Sequence, residues 1–163
     1  MSTVPRSMVT AFKTAGWFEG RQVAVPSAVP ASHPASALLA ELGGLTLVNP
    51  APNICSVAFQ HTTDAAELMV GWEAALGTEL VGFAVEDDGH AELYLSDRGH
   101  VIGCSLVHPA CFLVGRTIEE AIEGIGSGKR AQPMLLSDEE EITLYGDTYR
   151  QGDQAVLGPS DLT

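Results

Sequence analysis

A chain of 163 residues, 45% of them hydrophobic, is too apolar to stay disordered and fits one domain that buries about 70% of its unfolded surface. Its 21 acidic residues against eight basic ones give a net charge of −13. That balance excludes free nucleic acid as a partner, because affinity for phosphate comes from clustered Lys and Arg, and here only Lys129-Arg130 adjoin. An acidic surface suits a basic protein partner instead, through steering and complementarity.

No apolar run approaches the roughly 20 residues that cross a bilayer, so no membrane is expected as a partner. The N-terminus carries no continuous apolar core of the secretory kind. Cysteines at 55, 104 and 111 are odd in number and make no disulfide framework, which fits free thiols and a cytoplasmic setting.

The spacing predicts a first helix capped by Thr3 or Ser2, with Pro5 in its opening turn, Met8 and Phe12 facing inward, and Gly16 as its stop. Trp17 and Phe18 read as core anchors beside that stop, and Arg21 as a surface ion-pair partner. Ser32 with Pro34 opens a second helix carrying Leu38, Leu39 and Leu42, which Gly43-Gly44 ends. Strands are expected at 45–48, 54–59 and 80–85. Asp64 with Glu67 has the spacing of a helix cap, so 65–76 is a short helix or an irregular insertion.

The strongest signals follow. Leu93 and Leu95 alternate with Glu92 and Tyr94, the pattern of a half-buried strand. Asp97-Arg98-Gly99 closes a hairpin as a three-residue loop with Gly99 left-handed, which pairs Leu95 with Val101, Tyr94 with Ile102 and Glu92 with Cys104. A short strand at 111–114 precedes a helix over 117–127. Thr117 and Glu120 form its capping box, Ile118, Ala121, Ile122 and Ile125 its apolar stripe, and Gly126 or Gly128 its end. One further strand is expected at 142–145 and a frayed tail from 151 to 163.

Chemical motifs are weak by comparison. His90-Ala91-Glu92 matches half of a zinc-deaminase signature, but Pro109-Ala110-Cys111 continues to Val114 where a second cysteine is needed. Cys104, His108 and Cys111 have metal-compatible spacing, against the plainer reading of buried cysteines on strands. Glycines 124, 126 and 128 follow a helix and so form no phosphate cradle. No catalytic residue, metal or cofactor is assigned.

The stretches Ala15-Gly-Trp-Phe-Glu-Gly-Arg21, Leu38-Leu-Ala-Glu-Leu-Gly-Gly-Leu45 and Glu92-Leu-Tyr-Leu-Ser-Asp97, with the helix entry at 115–123, together resemble the SUKH superfamily. The bacterial immunity branch is the nearest in pattern. The resemblance covers about residues 10–130, departing at Leu42, where an aromatic often stands, and at the insertion around 62–76. It implies an α+β fold with a mainly antiparallel sheet, N-terminal helices and a C-terminal helix, acting without a cofactor. It also implies an immunity protein that neutralises a cognate toxin, often a nuclease or nucleotide-modifying enzyme, by direct contact; the alternative is a general interaction or adaptor module of the same fold.

Residues 1–150 are expected to form one such domain. Glu86, Asp87 and Asp88 in a turn, with Glu92 on the adjoining strand, are the expected partner-binding acids, since eight basic residues cannot neutralise them.

Overall fold

The computed structural model describes residues 2–48, 54–87 and 89–163. A 3-10 turn at Arg6–Met8 leads into α1 (Val9–Thr14), followed by α2 (Pro34–Leu42), β1 (Thr46–Leu47) and β2 (Val57–Thr62). Next come α3 (Ala66–Leu76), β3 (Leu80–Glu86), β4 (Ala91–Ser96), β5 (Val101–Ser105), β6 (Ala110–Gly115), α4 (Ile118–Ser127) and β7 (Gln132–Met134). β1 to β7 lie side by side in chain order as one antiparallel sheet, with α3 between β2 and β3 and α4 between β6 and β7. β8 (Glu141–Leu144) and β9 (Asp147–Arg150) form a separate hairpin. The architecture is α+β, as expected from strand runs separated from helices.

The hairpin register is the expected one. Leu95 pairs with Val101, Tyr94 with Ile102 and Glu92 with Cys104, and Gly99 takes φ +91°. Period-2 alternation then sends Leu93, Leu95 and Val101 to one face, where Phe12, Leu38, Leu42 and Ile122 from three helices cover them. Tyr94, Ile102 and Cys104 point to the other face and meet Met69, Trp72 and Leu76 of α3. β4 is therefore buried along its whole length, not half-buried, because the insertion between β2 and β3 folds into α3 and covers the second face.

α4 carries its expected stripe. Thr117 accepts a hydrogen bond from the N–H of Glu120, and Gly128 closes the helix at φ +69°. The return half of the capping box reaches one residue further back, with Glu120 accepting from the N–H of Arg116 at 2.9 Å.

Other helix starts differ from expectation. Neither Ser2 nor Thr3 caps α1; both hydroxyls donate to Glu41 on α2, as does the Thr3 N–H. His33, not Ser32, caps α2, its Nδ1 accepting from the N–H of Ala35. Among the described residues Arg21 makes no ion pair, and it instead donates to the carbonyls of Glu41 and Gly43 at the end of α2.

Trp17 is buried and donates its indole N–H to Glu41 at 3.0 Å, whereas Phe18 is 61% exposed. The left-handed Gly16 turns one aromatic inward and leaves the next outside. The tail expected to fray is docked: Leu157 and Leu162 are buried, and Leu157 bridges β7 through bonds with Pro133 and Leu135. Apolar residues isolated in a polar stretch hold it there.

Candidate functional site

The expected acidic turn joins β3 to β4, and the structure describes two of its three acids. Asp87 adopts φ +44°, a conformation Asp tolerates better than most side chains. It exchanges backbone and side-chain bonds with Ser56, its N–H donating to the Ser56 carbonyl and its Oδ1 accepting from the Ser56 N–H, both at 3.0 Å. Asp88 lies outside the described residues.

Glu86 is half-buried and faces a cleft of about 310 Å³ lined by Phe112, Ile125, Arg130, Leu144 and Tyr145. Burial, with the Asp87 charge adding to it, pushes the Glu86 carboxyl up to about 7. Burial and the same two acids push the nearby Cys55 thiol up to about 12. Arg130 stacks over the Tyr145 ring at 5.1 Å and lies 3.9 Å from Asp147.

Glu92 does not belong to this turn's surface. Its side chain is 1% exposed and points to the α3 face of the sheet. There it accepts hydrogen bonds from the Thr62 hydroxyl, the N–H of Asp64, the N–H of Ala65 and the Tyr94 hydroxyl. The last two are 2.9 and 2.7 Å long. α3 has no side-chain cap of its own, so a carboxylate from the sheet does the work expected of Asp64 and Glu67. Burial, followed by the bond to Glu92, raises the Tyr94 phenol.

A partner could reach the exposed acids, and the longest exposed run lies elsewhere. Asp138, Glu139, Glu140 and Glu141 follow one another at the start of β8 and are all exposed. The Glu86 cleft takes in Leu144 and Tyr145 at the other end of that strand. A block of four like charges is the signal that finds this run in the sequence. Among the described residues three ion pairs occur, Lys129–Glu120, Arg130–Asp147 and Arg150–Glu141, and all six side chains are well exposed. Most carboxylates therefore have no cationic partner among the described residues.

The metal-compatible trio is not assembled. Cys104 and Cys111 adjoin, but His108 stands exposed in the β5–β6 turn, and among the described residues no group of three or more His, Cys, Asp or Glu could hold a metal ion. His90 is exposed while Glu92 is committed to α3, so the half-signature of a deaminase does not converge either. Among the described residues no helix is long and apolar enough to cross a membrane.

An antiparallel sheet clothed by helices on both faces, with the buried carboxylates of Glu41 and Glu92 held in its hydrogen-bond network, defines an α+β scaffold. The family model described as SUKH-3 immunity protein matches residues 4–128, from the first turn to the end of α4, and the chain belongs to that family. No curated protein and no solved structure matches it.

Proposed function

We propose that this protein neutralises a cognate bacterial toxin in the cytoplasm by binding it directly, with no chemistry of its own. Membership of an immunity-protein family over residues 4–128 carries the reading. The toxin is basic, a nuclease or nucleotide-modifying enzyme whose phosphate-holding groove must be cationic. The contact surface includes Asp87 and Asp88, with Glu86 at its edge, and extends to the exposed run from Asp138 to Glu141. Glu92 is excluded, because withdrawing it would uncap α3. The excess of carboxylates over internal partners supports this, since a cationic partner would relieve repulsion that the fold leaves in place.

The experiment is association of the purified chain with a candidate toxin domain taken from the genes flanking its own, followed at several salt concentrations. The expected result is a stable complex whose association rate falls as salt rises. Association independent of salt would remove the acidic surface from the account while leaving binding intact.

A further inference from the structure

Face to face beneath α3, on neighbouring strands, stand Cys104 of β5 and Cys111 of β6, directly opposite in register with their sulfurs 3.6 Å apart. The N–H of Ser96 bonds to the carbonyl of His100 and that of Leu106 to His90, so hydrogen-bonded pairs of β4 and β5 fall at even-numbered positions. The backbone groups of Cys104 then face Glu92 on β4. Toward β6, Cys104 and Cys111 form the non-hydrogen-bonded kind of pair, in which Cα atoms approach to about 4.5 Å. That separation lies inside the range a disulfide spans, and rotation about the Cβ bonds brings sulfurs to about 2.05 Å.

We propose that Cys104 and Cys111 are a reversible oxidation site, a dithiol that a small hydroperoxide converts to a cross-strand disulfide. Access favours Cys111 as the first to react: Cys104 is fully buried, whereas Cys111 lines a narrow cleft of about 70 Å³ with Leu68, Trp72 and Pro109. A peroxide fits that opening and a bulky disulfide reagent does not. The Cys111 sulfur takes the terminal peroxide oxygen as the O–O bond breaks, giving a sulfenic acid while the thiol proton leaves with the alcohol or water formed. The Cys104 sulfur then displaces hydroxide from the Cys111 sulfur, and the Cys104 proton completes a water molecule. Two thiols thus lose two electrons, which reduce one peroxide.

The pair shares its acidity unequally. Cys111 donates its S–H to Cys104, which holds the Cys104 thiol below its usual range, while the same bond and burial hold Cys111 well above it. Oxidation is consequently slow, a matter of sustained exposure. Trp72 is buried and lines the same cleft as Cys111, so the change is felt by α3. Glu139 and Glu141 line the same cleft, so the site borders the proposed toxin surface, but the oxidation does not depend on that reading.

Hydrogen peroxide added to the purified full-length protein tests the proposal. The expected result is an intact mass lighter by two hydrogens, a fall from three titratable thiols to one, and peptide mapping that leaves Cys55 free. Tryptophan emission should drop through quenching of Trp72, and dithiothreitol should restore all three readouts. Cys55→Ser should still form the bridge, and Cys111→Ser should not. Three intact thiols after prolonged exposure, oxygen addition at Cys104 or Cys111 with no bridge between them, or bridging only between molecules through Cys55, would overturn it.

Discussion

Glu92 accepts a hydrogen bond from the backbone N–H of Ala65 at 2.9 Å, so the central strand of the sheet caps the helix inserted beside it. Four donors converge on this carboxylate, and its removal leaves several of them buried without a partner. Glu92→Ala should cost about 2–4 kcal/mol in urea denaturation, and Glu92→Gln about half of that, since an amide oxygen can still accept. A loss below that of an exposed acid such as Glu67→Ala would mean that α3 does not depend on the sheet carboxylate.

The inner face of α4 gives a second comparison. Ile122 is 2% exposed and packs in the main core, whereas Glu119 is exposed on the outer side. Ile122→Ala should cost about 2–4 kcal/mol and Glu119→Ala about 0.5 kcal/mol or less. The same denaturation series reads both, and the reverse order would turn the helix over.

Glu86 predicts a pH dependence. Its folded-state carboxyl is raised from 4.5 to about 7, so between those values the folded chain holds a proton that the unfolded chain has lost. Stability from this group is present below pH 4.5 and is lost as pH rises through 7. Glu86→Gln should therefore match the parent near pH 4.5 and exceed it at pH 8, by roughly 1–3 kcal/mol. Denaturant midpoints at the two pH values check this, and a difference constant with pH would show that Glu86 ionises freely.

The strand pairing, α4 and the division of β4 into two faces were legible because each rests on local pattern: the period-2 alternation from Leu93 to Leu95, the loop glycine Gly99, and the Thr117–Glu120 cap. What covers the second face was not. Alternation says that Glu92 and Tyr94 point the same way, but only the path of residues 62–76 decides whether that way is solvent. An acid read as a surface group therefore became a buried cap.

Asp64 and Glu67 carried a capping signature that tertiary contact overrode, and Phe18 shared its neighbour's chemistry without its position. In the tail, Leu157 and Leu162 are too far apart for a periodic signal, yet both are buried against β7 and α3. Of the acidic site, the turn between β3 and β4 was legible in the sequence, while the bonds of Asp87 to Ser56 and the burial of Glu86 follow from elements distant in the chain that close around it.

Charge on the proposed surface should act on association more than on folding. Asp87→Asn, which keeps a side chain suited to φ +44°, and Asp138→Lys with Glu140→Lys should each leave denaturation midpoints within about 0.5 kcal/mol. Their association rates with the toxin should fall several-fold at low salt and converge with the parent at high salt. Stopped-flow mixing provides the check, and equal rates for parent and variants would place the interface elsewhere.

The most direct measurement of the central claim is cell survival under induction of a candidate toxin domain from the flanking genes, with and without this chain. Neutralisation by contact predicts survival with the parent protein, recovered as a stoichiometric complex with an intact, unmodified toxin. Death despite abundant folded protein, or survival with a toxin that has been cleaved or chemically altered, would contradict it.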